Sequence, residues 1–383
     1  MGMPEMRVLI AGGGTGGHLY PGIAIAEEVM RRPAGQVLFV GTARGLESKL
    51  VPAAGFPLEL LEVSGLNRVG LVRMLRGLLR LPKAFFGARR LLARFRPDLV
   101  IGVGGYASGP VVFTAALLGY PTAIQEQNSH PGFTNRVLGR FVRRVFVAFE
   151  DAGQFFASGK LRLVGNPIRR RFLETAAGAA TGPAAAASHP ATVLVVGGSQ
   201  GARAVNDLVV GAASTLHAEG RLPRLVHQTG PTDEGRVREL YARAGLTDLV
   251  EVRPFIDDMP ATLAAASLVV GRAGALTLAE LAMVGRPAIL IPLPTAADDH
   301  QSRNAESFAR AGAAVVAAQG HTSPAELART IGELMADPGR RAAMASAMTT
   351  LSRPRAAAEI VDELERLTGT APPASGPSAG VAA

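Results

Sequence analysis

Short runs rich in valine, leucine and isoleucine recur along the chain, separated by glycine or polar turns and by stretches of helical spacing. After the opening run Arg7-Val-Leu-Ile-Ala11, the first half holds Val37–Val40, Leu99–Val103, Thr122–Ile124, Val145–Ala148 and Leu161–Val164. The second half holds Val193–Val196, Leu225–Gln228, Val250–Val252, Leu268–Gly271, Ala288–Ile291 and Ala314–Val316. Continuous apolar runs predict strands buried on both faces. Their alternation with helical stretches predicts an α/β protein whose parallel sheets carry helices on both sides.

Two of these strands run straight into glycine clusters. Arg7-Val-Leu-Ile-Ala-Gly-Gly-Gly-Thr-Gly-Gly-His18 opens the first half, and Thr192-Val-Leu-Val-Val-Gly-Gly-Ser-Gln-Gly-Ala-Arg203 opens the second. Glycines let the backbone approach a ligand, and the free N–H groups of the helix start attract anions. Two such units predict two Rossmann-like domains facing one cleft, an arrangement suited to a nucleotide-sugar. The expected division is an N-terminal domain over 1–168, a linker over 169–191 and a C-terminal domain over 192–350. A closing helix over 351–368 is expected to pack back on the N-terminal domain, before a disordered tail over 369–383. The segment from Thr175 to Pro190 is low in complexity and without amphipathic period, and reads as a surface insertion.

Gly12-x-Gly14-x-x-Gly17 matches the dinucleotide fingerprint in form, but that fingerprint also needs an acid at the end of the second strand to hold a ribose. The strand ends Phe39-Val-Gly-Thr-Ala-Arg44, with no acid there, so a nicotinamide dinucleotide is set aside. His18 follows the glycines where a reacting group would lie, and imidazole can act as a base near neutral pH. A structural loop histidine is the plainer alternative. Gly102-Val-Gly-Gly-Tyr-Ala-Ser-Gly-Pro110 forms a third glycine loop, and with the first it suits an extended phosphate such as a diphosphate. In the second half, Leu268 to Glu280 again reads strand, glycine turn, helix. Thr277 and the first-turn N–H groups suit a phosphate, and Glu280, one turn inward, suits both hydroxyls of a ribose. Gln301 and Asn304 share one helix face, where neutral amides suit sugar hydroxyls.

Composition narrows the setting. The 383 residues suffice for two domains, and 48% hydrophobic content supports sizeable cores. The chain has no cysteine, hence no disulfide, thiolate metal site or cysteine nucleophile, which fits a reducing cytoplasm. No signal peptide and no run of the roughly 18–20 apolar residues needed to span a membrane is read in it. The net charge of +9 is concentrated: residues 66–100 hold nine Arg/Lys against Asp98 alone. Four tyrosines and no tryptophan leave little to stack bases, so nucleic acid is not an expected partner. Within Leu71–Phe86, Leu75, Leu79 and Phe85 fall on an apolar stripe flanked by Arg73, Arg76, Arg80 and Lys83, the pattern of an interfacial helix on anionic lipid. Pro82 is expected to break or kink that helix. The plainer reading is a core-packing helix with a solvated basic edge.

The motifs Gly13–His18, Gly104–Pro110, Glu126-Gln-Asn128, Val164–Arg169, Gly197–Ala202, Phe255–Met259 and Ala275–Glu280 occur in an order that resembles the MurG family. These are GT-B glycosyltransferases that add N-acetylglucosamine to an undecaprenyl-linked muramyl-pentapeptide in bacterial cell-wall synthesis. The resemblance runs from Arg7 to about Leu367. It implies UDP-GlcNAc bound mainly by the C-terminal half, a lipid-linked muramyl-pentapeptide acceptor, no cofactor, and a peripheral place on the cytoplasmic membrane face among anionic lipid and the cell-wall and division machinery. Thr15, Gly16, Gly17 and Asn128 would close on the donor. Arg169 and Ser199 would hold its phosphates, Ile256 would read uracil, and Ala275, Leu276, Thr277, Leu278, Ala279 and Glu280 would cradle phosphate and ribose. Gln301 and Asn304 would meet the sugar, while Gly14, Gly104, Gly105, Tyr106 and Ser108 would face the acceptor. The family usually has His-Glu-Gln-Asn where this chain reads Gln125-Glu-Gln-Asn128. The expected base is therefore His18, with Glu126 second, both facing the cleft. UDP-GlcNAc 2-epimerases share this frame and donor, and a non-catalytic membrane adaptor needs only the basic helix, so both stay open at this point.

Overall fold

The computed structural model describes residues 6–43, 45–61, 71–178, 191–198 and 200–369, with backbone alone over 71–82 and at 297. The first sheet has seven strands: β1 (Met6–Gly12), β2 (Gly35–Gly41), β3 (Leu58–Leu60), β4 (Leu99–Gly104), β5 (Thr122–Glu126), β6 (Arg144–Val147) and β7 (Leu161–Leu163). The second has six: β8 (Thr192–Val196), β9 (Arg224–Gln228), β10 (Val250–Arg253), β11 (Leu268–Gly271), β12 (Ala288–Leu290) and β13 (Ala314–Val316). Their orders are β3-β2-β1-β4-β5-β6-β7 and β10-β9-β8-β11-β12-β13, with parallel pairing throughout. The order reverses beside β1 in one sheet and beside β8 in the other, and ligands of open α/β sheets sit outside the strand carboxyl ends at such points. Every strand read from the sequence is present. The short edge strand β3 is the addition, its Leu-Glu-Leu too brief and too exposed to carry a pattern.

The helices are α1 (Gly16–Arg31), α2 (Glu47–Ala53), α3 (Leu71–Phe95), α4 (Ser108–Leu117), α5 (Phe133–Leu138), α6 (Arg170–Gly178) and α7 (Arg203–Ala218). They continue with α8 (Glu234–Arg243), α9 (Met259–Ala265), α10 (Ala275–Val284), α11 (His300–Arg310), α12 (Pro324–Ala336), α13 (Pro338–Thr350) and α14 (Ala356–Thr368). Of the break or kink expected at Pro82, the break is not there: helix α3 runs on to Phe95. A proline removes one backbone bond and strains one turn, while the second half of α3 is held by Ala88, Leu91 and Leu92 buried in one cluster with Val111, Val112 and Ala115.

The chain crosses between domains twice. After β7 it enters α6, whose Phe172 is fully buried among Leu194, Val269 and Leu281 of the second domain. The stretch expected as a linker thus begins as a helix of the C-terminal core and stays helical to Gly178; residues 179–190 lie outside the described residues, as does the tail from 370. Beyond α13 the chain returns, and Ile360, Val361 and Leu364 of α14 join Val8 and Ile10 in the first domain's core.

Polar contacts fix that returning helix. Arg32 Nη2 lies 2.6 Å from Asp362, and Glu363, 7% exposed, receives Arg144 Nε and Arg366 Nη1. Burial pushes the Glu363 carboxyl up, but hydrogen bonds from Arg144 and Arg366 outweigh it and hold the group below its ordinary value. Such a group adds stability when ionised and loses it as pH falls through its lowered pKa. Glu363→Gln should cost about 1–3 kcal/mol near neutral pH. Denaturant unfolding of both proteins checks this: the gap should shrink as pH drops below the usual carboxylate range, and a gap independent of pH would contradict it.

Candidate active site

The carboxyl ends of the two sheets look at each other across a cleft of about 620 Å³. Its N-terminal wall holds Thr15, Gly16, Gly17, His18 and Asn128; its C-terminal wall holds Ile256, Ala275, Leu276, Thr277, Glu280 and Gln301, with Arg169 between. The sequence-expected residues Gly14, Gly104, Gly105, Tyr106, Ser108, Glu126, Leu278, Ala279 and Asn304 do not line it, and Ser199 lies outside the described residues.

The first wall is built from interlocked glycine loops. Gly13 N–H donates to Gly104 O at 3.2 Å, and Gly105, with φ of 82°, packs so tightly on the Gly13 backbone that a Cβ there would collide. Gly14, at φ of 91°, gives its N–H to Glu47 Oε2 at 2.8 Å. Glu47 is fully buried, and its other oxygen accepts from Thr42 N at 2.8 Å and Thr42 Oγ1 at 2.7 Å. Burial alone would raise its pKa, but the bonds from Gly14 and Thr42 take it below the ordinary value. Sequence reading passed over Glu47, whose only local sign is a lone acid after Gly41 and Gly45. Helix α1 then starts with no side-chain cap, leaving first-turn N–H groups for a ligand. Tyr106 stands exposed at the loop tip, whereas Ser108 is fully buried beneath it and cannot reach an acceptor.

Glu126 does not face the cleft. It is 2% exposed, and its oxygens accept from Asn128 N at 3.0 Å, Gly132 N at 3.2 Å and Asn135 Nδ2 at 2.9 Å. The carboxylate shapes the loop that carries Asn128; its lone pairs are already engaged, which removes it as a base candidate. Asn304 is likewise redirected. It is fully buried, accepts from Ser129 N at 2.9 Å, and donates to Asn128 Oδ1 at 3.2 Å and Ala273 O at 3.3 Å. This amide sews the two domains together, while Gln301, one turn earlier, stays on the cleft wall. Leu278 is in the C-terminal core, and Ala279 faces a separate 330 Å³ cavity behind the cleft.

On the second wall, Gly274 starts α10 without a side-chain cap, again leaving donors for a ligand. Burial pushes the Glu280 carboxyl up to about 7, against the opposing pull of Arg169, whose Nη2 is 3.3 Å away. The Arg169 guanidinium also lies over the Tyr20 ring, 4.3 Å from its centroid. Phe255, half exposed, flanks buried Ile256 and offers a flat apolar face. Tyr20, Phe255 and Gln228 line the cleft without having been assigned roles from sequence; each stands within a few residues of a motif or at a strand's carboxyl end, which is the signal that was there. Asp258 caps α9 and pairs with Arg171, and Asp298 pairs with Arg136. Among the described residues no group of three His, Cys, Asp or Glu side chains could hold a metal ion.

Side chains of Arg73, Leu75, Arg76, Leu79 and Arg80 lie outside the described residues. Beyond them Lys83 is exposed, Phe85 is half-buried, and Phe86 is exposed beside Arg89 and Arg90, while the opposite side of the helix is core. No described helix is long and apolar enough to cross a membrane.

Residues 8–147 match the glycosyltransferase family 28 N-terminal domain, and residues 192–360 match the family's C-terminal domain. A UDP-N-acetylglucosamine--N-acetylmuramyl-(pentapeptide) pyrophosphoryl-undecaprenol N-acetylglucosamine transferase of Anaeromyxobacter sp. (strain K) is 51% identical, over 93% of this chain and 92% of that protein. The crystal structure of Acinetobacter baumannii MurG superposes with a TM-score of 0.79 at 33% identity, covering 95% of this chain and all of that one. A UDP-GlcNAc 2-epimerase from Neisseria meningitidis reaches a TM-score of 0.67 at 12% identity over 94% of this chain and 100% of its own, a likeness of fold alone. The chain belongs to the MurG family of glycosyltransferase family 28, with its two-domain GT-B fold.

Proposed function

We propose that the protein transfers N-acetylglucosamine from UDP-GlcNAc to the C4 hydroxyl of an undecaprenyl-pyrophosphoryl-MurNAc-pentapeptide, with inversion at the anomeric carbon. The observation that carries this reading is the meeting of His18 and the N-terminus of α10 in one cleft, in a chain half identical to transferases of that name. The diphosphate lies on the free N–H groups of Ala275 to Thr277 beside Arg169, Glu280 takes the ribose hydroxyls, and uracil sits at Phe255 and Ile256. Gln301 meets the sugar. As the acceptor oxygen bonds to the anomeric carbon, His18 takes its proton and the bond to the diphosphate breaks. Charge on the departing UDP is met by Arg169 and the helix start. The adjacent pairs Asp257-Asp258 and Asp298-Asp299 make poor joint metal ligands, and activity should survive thorough chelation. The exposed Phe86, Lys83, Arg89 and Arg90 support docking of the α3 face on anionic lipid, where each cation contributes about 1 kcal/mol.

Radiolabelled UDP-GlcNAc with the lipid-linked acceptor in phosphatidylglycerol vesicles tests the reading. Label should enter lipid; conversion to UDP-ManNAc would mean an epimerase, and vesicle binding without turnover an adaptor. Arg73→Glu with Arg80→Glu should abolish vesicle binding and spare transfer to a short-chain soluble acceptor. Equal loss on both acceptors would return the segment to a structural role.

The ribose assignment gives a pH dependence. Below about 7 Glu280 gains a proton and loses an acceptor site, so UDP-GlcNAc should bind more weakly as pH falls. Calorimetry without acceptor, from about pH 8 to about pH 6, should show a Kd rise approaching tenfold. The diphosphate diester keeps its charge across that range. Glu280→Gln should bind weakly and flatten the profile; an unchanged slope in that variant would contradict the assignment.

A further inference from the structure

A line of neutral amides runs from the imidazole of His18 to the first residue of α10 in the other domain. His18 Nδ1 lies 3.0 Å from Gln127 Oε1. Gln127 Nε2 donates to the Val103 carbonyl at 2.8 Å and to the side-chain oxygen of Gln125. Gln125 Nε2 donates to Asn166 Oδ1 at 3.0 Å. Asn166 Nδ2 donates to the carbonyls of Gln127 at 3.0 Å and of Ala275 at 3.3 Å. Gln125, Gln127 and Asn166 are all buried, so water does not compete for these bonds.

The backbone fixes the direction of the whole line. A carbonyl oxygen only accepts, so the ends of Gln127 and Asn166 that face backbone carbonyls must be NH2 groups. Asn166 then turns its oxygen to Gln125, which must answer with its own NH2 and present its oxygen to Gln127. With both N–H groups of Gln127 used, only Oε1 is left for His18. Nδ1 must donate to it. The neutral imidazole therefore carries its proton on Nδ1 and its lone pair on Nε2.

We propose that Gln127, held by Gln125 and Asn166, is a positioning residue that sets the His18 tautomer so that Nε2 takes the acceptor proton. The bond from Asn166 to Ala275 ties that setting to the register of the two domains. The inference rests on His18 as the base in the proposed function. In the step, the Nε2 lone pair takes the hydroxyl proton, the acceptor oxygen bonds to the anomeric carbon, and the electrons of the breaking anomeric bond leave with UDP. Nδ1–H donates to Gln127 before and after, because imidazolium is protonated on both nitrogens, so the line need not reorganise during transfer. Residue 125 must offer one acceptor and one donor side by side. A neutral imidazole offers the same pair; a carboxylate offers two acceptors, and an apolar side chain offers neither.

Nitrogen-15 correlation spectra of the imidazole rings in the full chain read the tautomer directly, with His18 identified by the signal lost in His18→Ala. The wild type should show Nδ1 protonated, and Gln127→Leu should abolish that preference. A wild-type ring protonated on Nε2 overturns the proposal, whatever the variants do. In kinetics, Gln127→Leu should lower kcat by about 10- to 100-fold, part of the about 10²–10⁴-fold a positioned base supplies, with the donor KM unchanged. In the His18→Ala background it should cost nothing further; an equal loss there would make Gln127 merely structural. Gln125→Leu should lose activity likewise, and Gln125→His should recover most of it where Gln125→Glu does not. Failure of that recovery also overturns the relay. Near-normal kcat in His18→Ala, with Nδ1 still protonated in the wild type, would instead remove the base assignment and with it the catalytic half of the proposal.

Discussion

Backbone N–H groups at the starts of α1 and α10 cannot find carbonyls within their own helices, and neither Thr15 nor Gly274 supplies a side-chain cap. Both starts follow a strand at the point where its sheet changes direction, so both sets of free donors look into the same gap. An anion is the partner such a gap suits best. Glu47 helps to hold the first of those ends by anchoring Gly14, and Arg169, held against Glu280 and the Tyr20 ring, adds a cation between the walls.

How the walls stay in register follows from the kind of bond that joins them. Asn304 bonds to Ser129 and Asn128, and Asn166 bonds to Ala275, so the buried hydrogen bonds across the seam include neutral amides. Each such bond contributes about 0.5–1.5 kcal/mol net. The ion pairs Arg136–Asp298 and Arg310–Asp151 are partly exposed and add little. These directional amides fix the orientation of the walls, and the burial of Phe149 against Phe308 in the second domain's core adds an apolar contact to the seam.

The strands and both glycine-to-helix turns were legible because continuous apolar runs and glycines report on local geometry. Glu126 and Asn304 were misread for the opposite reason. Each sits in a motif beside the cleft, but Glu126 turns inward to Gly132 and Asn135, and Asn304 turns to a loop far away in sequence. Long-range partners leave no periodic trace. Glu47 was missed on the same ground, since its role exists only once Gly14 and Thr42 surround it. Pro82 shows a tertiary contact overriding a local rule: the buried face of α3 carries the helix past a residue that on its own predicts an end.

In the proposed complex the free N–H groups of α10, with Arg169 and Glu280, receive the donor, while His18 waits on the other wall. A crystal structure of the protein with UDP-GlcNAc tests it most directly. Diphosphate oxygens are expected on the N–H groups of Ala275 to Thr277, ribose hydroxyls on Glu280, and the sugar between Gln301 and His18. A diphosphate seated instead on Gly13 to Gly17, with the base over the N-terminal sheet, would contradict it.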